Sequence, residues 1–422
     1  MRIFNRRVTS SPDNRLRVAA IIVGVLLVCG LGSWRIFLPA SSSAQLSAKP
    51  ILASEPPSPT LARMGVLADP TKAKKAAKKA TPKANTKPKA THTPSTGASS
   101  TGTSGGNPSG GNPPVTNVGN QPSNLVWASG VSYPSIDAYS DAAADATSAF
   151  GAWRGKSVGA AIAWPEIGSW DEFTEPNAFY STWASQSYTK VFALPPYPAG
   201  IGDTITGCIA GDYDQYWQTF ARTMQSSGLA GEGTIIRLGW EMNQHSDWGT
   251  PSQFASCWRN IVSTVSAIAP GLQWDWNVNR GSSGDMPGSS ILSAYPGNAY
   301  VNIIGVDSYD MWPPVDTSGG WQQQLNGPYG LNYWLNFAKS NGKKFSVPEW
   351  GLTANTDPAW DGHSGGDDPA YIEDMYNFFN ANSSNIAFES YFDFPGDDNS
   401  LYNPSQVPNS AAEYAKLWSS AG

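Results

Sequence analysis

Two glutamates stand at the ends of apolar runs more than a hundred residues apart. Glu241 closes Thr234-Ile-Ile-Arg-Leu-Gly-Trp240 and is followed by Met242 and Asn243, while Glu349 closes Lys344-Phe-Ser-Val-Pro348 and precedes Trp350 and Gly351. Two carboxyl groups with different tasks are what glycosidic bond cleavage needs. One donates a proton to the departing oxygen, and the other attacks the anomeric carbon or activates water. Glu241, between Trp240 and Met242, has the apolar neighbours that keep an acid protonated and reads as acid/base. Glu349 reads as the nucleophile, oriented by the hydroxyl of Tyr309.

Further polar and aromatic residues cluster around the same runs. Arg237 and Asp307 are inward candidates on strands, and Asn243 could hydrogen-bond a sugar hydroxyl or cap the turn after the strand. Trp164, Trp240, Trp248, Trp312 and Trp350 follow strands or lie in loops, where an indole face can stack on a sugar ring. His245 and His363 have no matched spacing, so no metal site is expected. Asp367 and Asp368 in a Gly-rich loop read as a solvated loop rather than a calcium site. No phosphate-cradling glycine loop with its Lys is present, and no cofactor is implied.

Such residues need a scaffold that brings strand ends together. Eight runs read as strands: 125–131, 157–163, 190–194, 234–240, 272–277, 301–306, 344–348 and 387–392. Segments between them, such as 136–153, 213–227, 251–268, 321–341 and 370–382, can supply helices. Runs apolar on both faces suit parallel strands covered by helices, and eight β/α units in about 300 residues suit an α/β fold of the (β/α)8 TIM-barrel type. Its active site lies at the C-terminal strand ends, with Glu241 on the fourth run and Glu349 on the seventh. Side-chain alternation puts Arg237, Gly239 and Glu241 on one face, and Phe345, Val347 and Glu349 on another inward set.

Composition divides the chain at about residue 123. Residues 1–123 carry sixteen Lys and Arg against three acidic residues, and residues 124–422 carry eleven against thirty. The acidic part also holds every one of the 18 Trp except Trp34. A negative domain lacks the basic footprint of nucleic-acid binding and disfavours uronate-rich polymers. Three segments follow. In 1–40 the uncharged stretch Val18 to Trp34, preceded by five Arg, reads as a signal anchor that leaves the C-terminal domain outside the cell membrane; a cleaved signal peptide ending near residues 40–44 would make the protein secreted. Residues 41–123 read as a disordered Lys/Ala/Pro then Ser/Gly-rich linker, whose tract Lys72 to Lys79 could hold anionic cell-wall polymers or lipid headgroups, or be a plain spacer. Residues 124–422 form the barrel, expected to be a monomer. Outside the apolar stretch, Cys208 and Cys257 remain as one possible disulfide or as two buried thiols.

The segments Ile236-Arg-Leu-Gly-Trp-Glu-Met-Asn243 and Ser346-Val-Pro-Glu-Trp-Gly351, with Trp248, resemble glycoside hydrolase family 26. The resemblance runs from Trp127 over about 300 residues and implies a retaining barrel enzyme acting on β-mannan or a related β-glycan, with Glu241 as acid/base and Glu349 as nucleophile. One position departs from it, since Trp240 stands where the family usually has His. That departure gives weight to another reading, a barrel that binds polysaccharide without cutting it, in exopolysaccharide assembly; a separate alternative keeps the enzyme but makes it a transglycosylase.

Overall fold

The computed structural model describes residues 125–420, apart from 133–140, 176–177, 199, 283–285, 287, 354–362, 396–398 and 403–404. The expected anchor, linker and Lys tract lie outside the described residues. Among those described, no helix is long and apolar enough to cross a membrane.

Eight parallel strands close into one barrel in chain order: β1 Ala128–Ser132, β2 Ala160–Ala163, β3 Thr189–Leu194, β4 Thr234–Leu238, β5 Gln273–Asn279, β6 Ile303–Tyr309, β7 Lys344–Gly351 and β8 Ile386–Phe392. Each of the eight runs singled out by their apolar character carries a strand, with ends displaced by a few residues. β8 pairs back onto β1 from Phe388 opposite Ala128 to Phe392 opposite Ser132. Helices including Asp141–Trp153, Asp214–Ser226, Pro251–Ser266, Leu331–Ser340 and Pro369–Ala381 cover the outside. The segment 321–341 is not one helix. It breaks into Gly320–Asn326 and Leu331–Ser340, because Gly327, Pro328 and Gly330 intervene and a residue before proline is pushed out of helical geometry.

The two-faced strands feed two cores. Phe192, Ile236, Trp274, Trp276 and Phe345 point outward into a large core shared with the helices. Ala160, Ile162, Val191, Ala193, Ile235 and Phe388 fill part of the lumen. The other part of the lumen is polar, with Arg237 from β4, Asp275 and Asn277 from β5, Asp307 from β6 and Ser346 from β7 all buried. Gly305 on β6 makes room for it, since a Cβ there would lie 2.6 Å from Asp275 Oδ1 and 2.8 Å from Ser346 Oγ. An alanine at 305 would therefore push into the polar half directly beneath Asp307.

Cys208 and Cys257 are joined, with their Cα atoms 5.3 Å apart and a sequence separation of 49. The bridge ties the helix Ile205–Ala210, from the loop after β3, to the helix Pro251–Ser266 after β4. Closing a loop of that length restricts the unfolded chain by about 4 kcal/mol. The Cys208→Ser, Cys257→Ser double variant is therefore expected to unfold in guanidinium with a stability lower by that amount. Equal stabilities would show that the bridge only follows contacts made by the surrounding helices.

Candidate active site

Glu241 reaches the barrel mouth by a turn, not by the strand's pleat. β4 stops at Leu238; Gly239 (φ 57°) and Glu241 (φ 46°, ψ 40°) both adopt left-handed backbone, and a tight turn Met242–Gln244 follows. The alternation expected through residue 241 therefore fails after Arg237. At Gly239 only glycine fits, because a Cβ would also stand 2.8 Å from the Phe254 ring. Left-handed backbone at a glutamate costs on the order of 1 kcal/mol and needs local support. The Glu241 amide supplies some, donating to Asn277 Oδ1 at 2.7 Å.

Glu349 is aimed inward by a break in the ladder. Phe345 and Val347, expected inside, pack outward, Phe345 edge-to-face on Phe378 at 6.2 Å. Ser346 is the inward residue, donating to Asp275 Oδ2 at 2.9 Å. Around Pro348 the pairing shifts on both sides, between Gly305 and Ser308 of β6 and between Val347 and Trp350 of β7 against β8. Proline has no N–H to give the ladder, and a bulge there re-aims the next side chain. Glu349 then enters the lumen, only 8 % exposed.

There it meets Arg237, Tyr309 and Asp307. Arg237 Nη1 pairs with Glu349 Oε1, and Nη2 pairs with Asp307 Oδ2 while donating to Asn277 Oδ1 at 3.0 Å. Tyr309 OH donates to Glu349 Oε2 at 2.8 Å. The Glu349 amide and Asn277 Nδ2 donate to Asp307 Oδ1 at 3.1 and 3.0 Å. Burial opposes the charge of Arg237, but Asp307 and Glu349 outweigh it and hold the guanidinium above its ordinary pKa. Burial first, and then Glu349, raise the Tyr309 pKa, so it stays a phenol able to donate.

One carboxylate oxygen from each of Glu241, Asp307 and Glu349 lies within 4.8 Å of the others. That spacing could suit a cation, yet the guanidinium of Arg237 already sits against two of the three, and its fixed charge works against a second positive ion. Burial pushes the Glu241 carboxyl up, the Glu349 charge adds to this, and Asn279, Arg237 and His245 pull the other way. Upward wins, as expected for an acid that must arrive protonated.

β5 supplies residues that the reading of the sequence missed. Asn279 Nδ2 donates to Glu241 Oε1 at 2.6 Å, and Asn277 links Arg237, Asp307 and the Glu241 backbone. The signal was present as period two: Trp274, Trp276 and Val278 alternate with Asp275, Asn277 and Asn279, an apolar outer face against a polar inner one. Asn243 is 1 % exposed and its amide holds the Asn279 backbone, accepting from the amide at 2.8 Å and donating to the carbonyl at 3.0 Å. It is a clamp on β5, not a free sugar contact.

The tryptophans divide. Trp240 and Trp312, at the ends of β4 and β6, are half-buried and keep exposed surface; Trp312 stacks on His363 with ring centres 3.4 Å apart. Trp164 and Trp248 are nearly buried, the first edge-on to Phe392, the second stacked on His245 at 3.9 Å. Trp350 is fully buried and is not a sugar platform. β7 continues to Gly351, so Trp350 lies on the strand's outer side, stacked on Trp418 and donating to Glu389 Oε2 at 2.6 Å. Asp367 and Asp368 serve as helix caps, Asp367 accepting from the Asn409 and Ser410 amides and Asp368 from that of Ala370.

No family model and no curated protein matches the chain. Among solved structures it is similar to the GH26 domain of a Prevotella bryantii endo-beta-mannanase/endo-beta-glucanase, at 15 % identity over 70 % of this chain and 88 % of that one, with a TM-score of 0.45. It is also similar to a Cellulomonas fimi endo-beta-1,4-mannanase (15 %, 70 % of each chain, TM-score 0.48) and to the catalytic domain of a Bacillus sp. JAMB-750 GH26 endo-beta-1,4-mannanase (14 %, 69 % and 86 %, TM-score 0.48). Likeness at this level leaves the chemistry to be argued from the residues themselves.

Proposed function

We propose that the barrel is a glycoside hydrolase of the family 26 type, a retaining endo-β-glycanase acting on a largely neutral polysaccharide such as β-mannan or a related β-glycan. The observation that carries this is that one carboxyl oxygen of Glu241 and one of Glu349 lie within 4.8 Å of each other, the first carboxyl raised by burial and the second held by Arg237 and Tyr309. Retaining pairs stand about 5–5.5 Å apart and inverting pairs about 6.5–9.5 Å, the wider gap leaving room for water. In the first step Glu349 forms a bond to the anomeric carbon while Glu241 passes its proton to the departing oxygen. Esterified Glu349 no longer carries charge, so one of the causes holding the Glu241 pKa up disappears. Glu241 then takes a proton from the incoming water, and the ester bond to Glu349 breaks. Trp240 and Trp312 offer faces for sugar rings on either side.

Reducing-end release from mannan, xylans, β-glucans and the host's own exopolysaccharide tests the reading. Binding to one of these without release overturns it in favour of a polysaccharide-binding barrel. On a cleaved polymer, Glu241→Ala is expected to lose about 10²- to 10⁴-fold on substrates with poor leaving groups and far less on aryl glycosides with good ones. Equal losses on both would remove Glu241 from the acid role.

The domain is further proposed to work outside the cell membrane as a monomer, tethered by Val18 to Trp34 or released after cleavage. The Cys208–Cys257 bridge supports an oxidising compartment. Protease added to intact cells should digest a tethered barrel; protection together with a cytosolic fraction would contradict it.

A further inference from the structure

We propose that Asn279 is a positioning residue for the proposed acid/base, held in place by Asn243, and that it leaves one chosen oxygen of Glu241 free to meet the glycosidic oxygen. The proposal rests on Glu241 being that acid. Asn279 ends β5 with its side-chain nitrogen 2.6 Å from Glu241 Oε1. An amide nitrogen can only donate, so Oε1 must accept. A proton on the Glu241 carboxyl therefore sits on Oε2.

The donor is not free to wander. Asn243, buried two residues beyond Glu241, accepts from the Asn279 amide and donates to its carbonyl, closing a ring of hydrogen bonds between the end of β4 and the end of β5. The same turn has its Glu241 amide fastened to Asn277. Three bonds from β5 thus fix the left-handed turn, and a fourth fixes the carboxyl.

The charged and titratable groups facing Glu241 are Glu349 from β7, Arg237 from β4, His245 from the following turn, and Asp307 and Tyr309 from β6. Among the influences that favour the ionised form, the Asn279 hydrogen bond is the largest, ahead of Arg237 and His245. Asn279 therefore keeps an acid raised by burial able to give up its proton during the first step and to act as base in the second.

The test reads Glu241 directly and needs no substrate. The full chain is labelled with δ-¹³C glutamate, the Glu241 signal is identified by its loss in Glu241→Gln, and its titration is followed in the wild type, Asn279→Ala and Asn279→Asp. Loss of a hydrogen bond to a charged group should raise the midpoint by about one to two pH units in Asn279→Ala. Asn279→Asp, which adds a like charge, should raise it further. A midpoint within about 0.3 units of wild type in either folded variant overturns the proposal, and the residue is then only structural. If neither variant folds, the ¹⁵N side-chain amide signal of Asn279 in the wild type must follow the Glu241 midpoint, and a flat signal overturns it equally. Failure of every polysaccharide to be cut would sink the hydrolase reading while leaving this titration result standing, so the two failures are separable.

Discussion

Glu349→Ala should lose cleavage of a polysaccharide substrate by about 10⁴-fold or more, because the covalent route disappears with its nucleophile. Azide should restore turnover on an aryl glycoside, filling the space left by the carboxyl and giving a glycosyl azide of inverted configuration. The geometry adds a second, less obvious result. Glu349 is one of the causes that hold the Glu241 carboxyl up, so its removal lets Glu241 titrate at lower pH. Activity that needs Glu241 protonated is lost as pH rises through that midpoint. Without azide, whose own negative charge would stand in for the carboxylate, the Glu241 carboxyl of Glu349→Ala, followed by titration of δ-¹³C glutamate, should ionise at lower pH than in the wild type. Near wild-type cleavage in Glu349→Ala, or an azide product of retained configuration, would remove Glu349 from the nucleophile role.

The barrel was legible because its strands are apolar on both faces, a pattern that asks for a lumen on one side and helices on the other. Both glutamates were legible as carboxylates closing such runs on the fourth and seventh strands. What misled was the assumption that a strand keeps its pleat to its last residue. At the end of β4 a glycine and then Glu241 itself turn left-handed, and nothing in a residue type announces that a glutamate will. At β7 the pleat slips around Pro348, so Phe345 and Val347 face the helices while Glu349 faces the lumen. Glu349 reached its expected place for a reason other than the one expected. Trp350 paid for the same error, since a strand thought to end at Pro348 in fact runs through it and hides its indole. Asn277 and Asn279 were missed for a different cause: uncharged amides in a strand carry no signal alone, and only their alternation with Trp274 and Trp276 marks them.

Arg237→Met is expected to be the most damaging single change to stability. Arg237 and Asp307 are fully buried, Glu349 nearly so, and the guanidinium is the counter-charge that both carboxylates share. Removing one member of a buried ionic cluster leaves charge without compensation, at about 3–5 kcal/mol. The loss should depend on pH, and its sign follows from Asp307. Burial already raises its carboxyl against the pull of Arg237, and without Arg237 it rises further above its ordinary value of 3.8. Below that value both folded and unfolded chains hold the proton, and the deficit from Asp307 is small. As pH rises through the ordinary carboxylate range the unfolded chain ionises in both proteins alike; the gap between them opens where the folded wild-type Asp307, helped by Arg237, ionises while the variant's is still protonated, and it levels off once the variant's ionises too. Denaturant melts of variant and wild type at several pH values would show it as a widening gap. Arg237→Lys should lose less, keeping the charge while losing the fork that reaches two carboxylates. The triple variant Arg237→Met, Asp307→Asn, Glu349→Gln separates the causes, because a neutral site has no charge left to strand. It should recover much of the lost stability with no activity. A triple variant as unstable as Arg237→Met alone would locate the damage in packing around the side chain, whereas an Arg237→Met protein as stable as wild type would mean that desolvation had cancelled the ion pairs from the outset.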